Sequence, residues 1–372
     1  MKILLACGKS SVVVTFRKTL IKHLQALGHE VCAIAFDREN EEQIKKLNVE
    51  FYCVDDANRS INPFKILTLS KRYARVIKEI NPDLVFTFML KPNIYGVLGA
   101  KKAGIKNIYS MVEGAGDVFI YNSLKWKIIR KFVCHMYKKA FKNSKKVFFL
   151  NEDDKSDFIK RGLVKSEQCE IVHGIGVDLE KFEYKPIKNY KTFLMIARLL
   201  KTKGVIEYCE AAKKVKEKYP DAIFNLVGPE GTLKQGDIQE YIDCGAINYL
   251  GATTDVRPFI EECSVHVLPS YREGLGLVNA EAGAVGRASI TCDTNGTRDT
   301  VVDGYNGFLV RVKNADDIAE KMIYFLEKTD DIVTMGQNAR KFAEENFDYK
   351  EINDKICTII GAKEPEKAYQ TT

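Results

Sequence analysis

A chain of 372 residues, 45% hydrophobic and 29% charged, is neither disordered nor fibrous, and at ~100–200 residues per domain it should form two domains. The net charge of +7 is unevenly placed: residues 1–185 hold 33 basic and 21 acidic side chains (+12), the remainder 24 and 29 (−5). A basic half joined to an acidic half points to an anionic partner for the first, which leaves lipid head groups, diphosphates and nucleic acid open.

The chain opens on a short apolar run, Lys2 to Ala6, read as a buried strand. Leu4-Leu5-Ala6-Cys7 resembles a lipoprotein cleavage box, but the apolar run before it is too short for an export signal. A loop Gly8-Lys9-Ser10-Ser11 follows, then a helix Phe16–Leu27 with apolar positions 16, 20, 21, 24 and 27 and a stop at Gly28. Val31–Phe36 is the next strand, Ile66–Ile80 a helix ended by Asn81-Pro82, and Leu84–Leu90, Ile108–Val112 and Val147–Leu150 are further strands. Strands separated by helical stretches imply βαβ units and a parallel sheet. The pattern loosens around Phe182–Asn189, where the domain boundary is placed, giving domains 1–185 and 186–345. A C-terminal helix and polar tail, 346–372, is expected to pack back toward the first domain. The alternation restarts with strand Phe193–Ile196, helix Val205–Tyr219, strands Ile223–Val227 and Val265–Leu268, helix Leu277–Ala284 and strand Ser289–Thr291. The predicted fold class is α/β, with two doubly wound domains in series. Ligands of such sheets bind beyond the carboxyl ends of the strands, so a cleft between the domains is the expected site.

The richest stretch is Val265–Ala284. Strand Val265-His266-Val267-Leu268 ends in Pro269-Ser270, and loop Tyr271-Arg272-Glu273-Gly274-Leu275-Gly276 opens a helix holding Glu281. Gly274 and Gly276 permit close approach of backbone to a ligand, and free amides at a helix start suit a phosphate. Two carboxylates flanking a phosphate cradle are what a nucleotide sugar needs. Arg198 and Lys203, in Ala197-Arg198-Leu199-Leu200-Lys201-Thr202-Lys203-Gly204, offer a forked guanidinium and a point charge for a diphosphate. The same spacing also fits a solvated basic loop.

Taken in order, Ala197-Arg198…Lys203-Gly204, Leu226-Val227-Gly228, Val267-Leu268-Pro269-Ser270, Glu273-Gly274…Glu281-Ala282 and Asp303-Gly304-Tyr305-Asn306-Gly307-Phe308-Leu309-Val310 resemble the motifs of the retaining glycosyltransferases of family 4. The resemblance covers essentially the whole chain and implies the GT-B fold, two facing Rossmann-like domains with a cleft between them. Asn62-Pro63-Phe64 and Val112-Glu113-Gly114-Ala115-Gly116 are similar to the branch that builds lipid-linked glycans, in particular N-acetylgalactosaminyltransferases acting on undecaprenyl-diphosphate sugars.

That resemblance implies a set of roles. Arg198 and Lys203 would bind the donor diphosphate, Glu273 the donor-sugar hydroxyls and Glu281 the nucleotide ribose. The amides of Gly274, Leu275, Gly276 and Leu277 would meet the distal phosphate, and Gly8 would keep the first loop close to the diphosphate. Where many relatives carry His-Gly, this chain has Glu113-Gly114, so a catalytic histidine is not carried over. Glu113 would either position the acceptor hydroxyl or take its proton, or only hold its loop. Leu275-Gly276 replaces the usual Phe-Pro, and Asp299 stands for a glutamate.

Other signals are weaker. Ten cysteines, none at C-x-x-C spacing, fit buried thiols in a reducing cytoplasm. The five histidines show no metal-ligand spacing, so neither metal nor cofactor is expected. Gly174-x-Gly176 and Gly114-x-Gly116 lack the third glycine of a dinucleotide fingerprint. Residues 101–150 contain 12 basic and two acidic side chains, around a helix near Leu124–Phe141 with Trp126, Ile129, Val133, Met136, Tyr137 and Ala140 on one face. Such a helix lies on an anionic membrane or packs on a core with a solvated basic face. No recognition motif supports nucleic acid. The expectation is a retaining, metal-independent glycosyltransferase that moves a hexose or N-acetylhexosamine from a UDP-sugar to a polyprenyl-diphosphate-linked glycan. It would sit peripherally on the inner face of the cytoplasmic membrane. A UDP-sugar epimerase of GT-B fold and a non-catalytic nucleotide-sugar-binding subunit are the alternatives.

Overall fold

A computed structural model describes residues 1–54, 65–114, 116–120 and 123–364; the Asn62-Pro63-Phe64 motif and Ala115 lie outside them. The first parallel sheet contains β1 (Lys2–Ala6), β2 (Glu30–Ala35), β3 (Glu50–Cys53), β4 (Leu84–Phe88), β5 (Ile108–Val112), β6 (Lys146–Phe149) and β7 (Cys169–Ile171), in the order β3-β2-β1-β4-β5-β6-β7. The second contains β8 (Thr192–Ile196), β9 (Ile223–Val227), β10 (Asn248–Tyr249), β11 (Val265–Leu268), β12 (Ala288–Cys292) and β13 (Gly307–Val310), in the order β10-β9-β8-β11-β12-β13. Central strands such as β1, β4, β5 and β12 read as apolar runs because helices cover both faces of a parallel sheet. In each sheet the strand order reverses beside its first strand, between β1 and β4 and between β8 and β11. The loops leaving those strands meet at such a switch point, and here they carry Gly8, Arg198, Lys203 and Glu273.

The chain divides into Met1–Ile175 with Lys350–Thr372, and Gly176–Tyr349. The boundary expected at 185/186 therefore falls ten residues earlier, and the second unit extends four residues past 345. Residues 176–185 belong with the second unit because its side chains hold them. Arg287 donates to the Lys185 carbonyl at 2.6 Å, Arg340 to that of Phe182 at 2.8 Å, and the Lys185 amide to Val285 at 3.1 Å. The helix Tyr349–Ile359 passes into the first unit, where Asp354 Oδ1 lies 2.7 Å from His23 Nε2 and the Ala362 carbonyl 2.7 Å from His29 Nε2. With these bounds the first unit holds 35 basic and 22 acidic residues (+13) and the second 22 and 28 (−6).

Local departures from the predicted elements have physical causes. Ser10 and Ser11, expected in a loop, begin a helix Ser10–Thr15. The buried Ser10 hydroxyl bonds to Asp37 in the loop after β2, which ties that turn down. The following helix is Lys18–Ala26, so Phe16 lies outside it. Phe16, counted as a core position, is 44% exposed, whereas Arg17 beside it is 1% exposed. The short edge strands β3, β7, β10 and β13 carry no apolar run long enough to announce them. None of the ten cysteines is in a disulfide.

Candidate active site

In the second unit, Arg198 lies two residues beyond β8 and Lys203 closes the short turn Lys201–Lys203. Gly204 follows in a left-handed conformation (φ 73), and a Cβ there would come within 2.2 Å of the Pro269 carbonyl oxygen. Only glycine lets the loop after β8 lie against the end of β11. Across that contact the Lys203 ammonium pairs with the Glu273 carboxylate, joining residues 70 apart in sequence. Arg198 is exposed and forms no ion pair with a carboxylate among the described residues, so its guanidinium faces solvent.

The Glu273 loop is held from behind. The Glu273 amide donates to Asn295 at 3.0 Å and the Gly276 amide to Gly296 at 2.8 Å. Asp299, standing for the family's glutamate, accepts from the Gly296 amide at 3.1 Å and so clamps the supporting loop. The expected phosphate cradle needs correction here. Gly276 donates to Gly296 and Leu277 to Leu275 (2.8 Å), so two of the four amides assigned to a phosphate already have carbonyl partners. The Leu277 bond closes the turn on itself, while the Gly276 bond ties it to the loop behind. The Leu275 amide has no backbone acceptor among the described residues.

Glu281 sits inside helix Leu277–Ala284, as expected. Burial without a cation pushes its carboxyl up to about 7. Two residues before it, Asn279 joins a network that sequence reasoning missed. Asn279 Oδ1 is 2.9 Å from Nδ1 of the fully buried His266 on β11, and its amide nitrogen donates to Thr300 Oγ1 at 3.0 Å. Burial lowers His266 to about 4, keeping it neutral. The polar His266 within an apolar strand was the available signal.

In the first unit, Gly8 follows β1, and a Cβ there would touch Met89 Sδ at 3.0 Å. Met89, just past β4, is itself left-handed (φ 70), a strained conformation for its side chain. Glu113 directly follows β5 and pairs with Arg17. The structure thus groups Lys203, Glu273 and the 274–277 turn in one unit and Gly8 and Glu113 in the other.

Among the described residues, one group of three side chains could ligate a metal: Glu30, Cys32 and Glu50. Lys2 already supplies its cation, 2.9 Å from Glu30 and 3.5 Å from Glu50. Helix Leu124–Phe141 has a divided character: Val133, Met136, Tyr137, Ala140 and Phe141 are buried, while Leu124 (76%) and Ile128 (64%) stand exposed beside Lys125, Lys127 and Lys131. No helix of the described residues is long and apolar enough to cross a membrane.

Two Rossmann-like parallel sheets, one in each unit, are the make-up of the GT-B fold. Residues 2–151 match the model of the glycosyl transferase 4-like family and residues 177–342 that of glycosyl transferases group 1. The chain is 32% identical, over 88% of its length and 90% of the relative's, to the N,N'-diacetylbacillosaminyl-diphospho-undecaprenol alpha-1,3-N-acetylgalactosaminyltransferase of Campylobacter jejuni. It is 26% identical, over 83% of each chain, to the UDP-Gal:alpha-D-GlcNAc-diphosphoundecaprenol alpha-1,3-galactosyltransferase of Escherichia coli. Among solved structures it is similar in fold to a glycosyltransferase from Rickettsia africae (TM-score 0.79, 21% identity, covering 96% and 97% of the two chains). It is likewise similar to Anabaena HepE in complex with UDP and glucose (TM-score 0.78, 17%, 97% and 99%). The chain belongs to this family of group 1, family 4-like glycosyltransferases.

Proposed function

We propose that the protein transfers a hexose or N-acetylhexosamine from a UDP-sugar to a sugar on a polyprenyl-diphosphate carrier, with retention at the anomeric carbon. The observation that carries the reading is the meeting of Lys203 and Glu273 at the switch point of the second sheet. Both relatives named above act, by their names, on diphospho-undecaprenol sugars. In the reaction the bond from the anomeric carbon to the diphosphate oxygen breaks while one to the acceptor oxygen forms on the same face. The acceptor's hydroxyl proton passes to the departing diphosphate. Lys203 and the exposed Arg198 offset the charge that develops there, so no metal is required. Glu273 receives donor-sugar hydroxyls and Glu281 the ribose.

We further propose that the reaction takes place at the inner face of the cytoplasmic membrane. Support comes from the first turns of helix Leu124–Phe141, where exposed Leu124 and Ile128 alternate with lysines, and from the +13 charge of the first unit. Purified protein given a panel of UDP-sugars, with and without an undecaprenyl-diphosphate-linked sugar, tests the reading. UDP release that depends on the lipid-linked acceptor supports it. Conversion of the donor sugar without any acceptor overturns it in favour of an epimerase.

A further inference from the structure

Val265 and Val267 of β11 pack into the core on one face of the second sheet, and His266 between them points to the other, where helix Leu277–Ala284 lies. There His266 Nδ1 is 2.9 Å from Asn279 Oδ1, and Asn279 Nδ2 is 3.0 Å from Thr300 Oγ1. The three side chains are each at most 4% exposed. The direction of every bond follows from the last of them. The Thr300 hydroxyl donates its proton to the Thr297 carbonyl at 2.6 Å, so toward Asn279 its oxygen accepts. The amide nitrogen of Asn279 therefore faces Thr300 and its oxygen faces His266, and the imidazole carries its proton on Nδ1. The Thr297 hydroxyl continues the chain to the Cys292 carbonyl, at 2.7 Å, where β12 ends.

This network lies beneath the turn that carries Glu273. The helix starts at Gly276, which has no side chain to cap it. The Asn279 amide donates to the Gly276 carbonyl at 2.8 Å. A Cβ on Gly276 would stand 3.1 Å from Asn279 Nδ2 and 3.4 Å from Thr300 Oγ1, so the end of the turn rests on the Asn279–Thr300 bond. The Gly276 amide is taken by Gly296, in the loop that leads to Thr300. Apolar side chains would fill this layer without the cost of desolvating polar groups. What three directional, satisfied bonds add is a single relative placement of strand, helix and loop.

We propose that Asn279 is a positioning residue of the donor site: locked between His266 and Thr300, it holds the Glu273–Leu277 turn in the one placement from which Glu273 and the Leu275 amide meet the UDP-sugar. This rests on the reading that the turn receives the donor. Asn279 itself, buried under Gly276, touches no substrate, and its effect falls on the donor and not on the acceptor.

The test uses the whole protein and three readouts: UDP affinity by calorimetry, transfer at varied donor and at varied acceptor concentration, and the ring-nitrogen resonances of isotope-labelled histidine. The chain has five histidines, and H266Q identifies the signals of His266. T300V keeps the volume, removes the hydroxyl and unlocks Asn279. It should weaken UDP binding and raise the donor KM about tenfold, the scale of one hydrogen bond lost at a charged ligand, with the acceptor KM unchanged. T300S, which keeps the hydroxyl, should restore UDP affinity and donor KM to wild-type values. N279L should lose at least as much as T300V; where it does not fold, T300V and T300S carry the test. Wild-type His266 should show its proton on Nδ1. Unchanged UDP affinity in T300V, an equal rise in both KM values, or a His266 proton on Nε2 overturns the proposal while leaving the transferase reading standing. A wild-type protein that binds no UDP overturns the donor-site reading itself.

Discussion

Replacing Glu281 by Gln should flatten the pH dependence of the second unit's stability. Burial raises this carboxyl from an ordinary 4.5 to about 7. At 1.36 kcal/mol per unit, the shift corresponds to at most about 3 kcal/mol. Its sign follows from proton counting. Below the unfolded value the group is protonated in both states and costs nothing. Between 4.5 and about 7 the unfolded chain ionises while the folded one keeps its proton, so stability falls as pH rises, and the full deficit remains above 7. His266, lowered from 6.5 to about 4, works in the opposite direction over a similar range, its contribution being lost as pH falls. A single profile therefore hides both effects, and only the difference between wild type and E281Q isolates the carboxyl. Trp126, the only tryptophan, lies in the first unit and reports on the wrong core. The suitable assay is hydrogen exchange of peptides from β8, β11 and β12, corrected for intrinsic rates, across this range. E281Q should match wild type at the acid end and exceed it by up to about 3 kcal/mol at the alkaline end. Profiles that run parallel throughout would refute the claim that burial raises the Glu281 carboxyl.

Other perturbations address the rest of the site. Glu273→Ala and Lys203→Ala should each reduce transfer by about 100-fold or more, the usual cost of losing one fixed group from a charge-stabilising site, with little change in circular dichroism; near-normal turnover in either sinks the donor-site assignment. Transfer should survive excess EDTA, and a loss restored by Mg²⁺ would show that Arg198 and Lys203 do not suffice for the diphosphate. Leu124→Ser/Ile128→Ser, and separately reversal of Lys125, Lys127, Lys131 and Lys138, should weaken flotation with anionic liposomes while sparing UDP binding. Flotation equal to wild type in both would remove the membrane role of this helix.

The fold was legible because its central strands are apolar runs between helices and its motifs fall at strand ends. Predicted strand Val265–Leu268 and helix Leu277–Ala284 match the observed elements at both ends. Three things were not legible, each for a physical reason. Periodicity placed Phe16 inside and ignored Arg17, since hydrophobic patterning cannot know that a carboxylate 96 residues later will neutralise a buried guanidinium. Pro186 and its charged neighbours looked like a linker, but the segment is a strap whose carbonyls are taken by Arg287 and Arg340 of the second unit. The glycines at 274 and 276 suggested free amides, yet the Gly276 amide is taken by Gly296 of the loop behind and the Leu277 amide by Leu275 of the turn itself. The sequence placed the candidate site residues beyond the strand ends, while their hydrogen-bond state depends on loops distant in the chain.

Three glutamates, Glu113 and Glu273 on loops after strands and Glu281 inside a helix, illustrate how one residue type is given separate surroundings. Glu273 faces the ammonium of Lys203, Glu113 faces the guanidinium of Arg17, and Glu281, with no ion pair among the described residues, is pushed by burial toward neutrality. A lysine is a flexible point charge, so the Lys203–Glu273 pair can open to share its cation with an arriving diphosphate. The Arg17 fork is packed among Phe88, Met111 and Cys7 and has no room to follow a moving partner. The Lys203–Glu273 pair is therefore built to exchange partners, and the Arg17–Glu113 pair to stay where it is. On the roles proposed above the first property is the useful one: a diphosphate must be gripped and later released, and a lysine can give up one anionic partner for another.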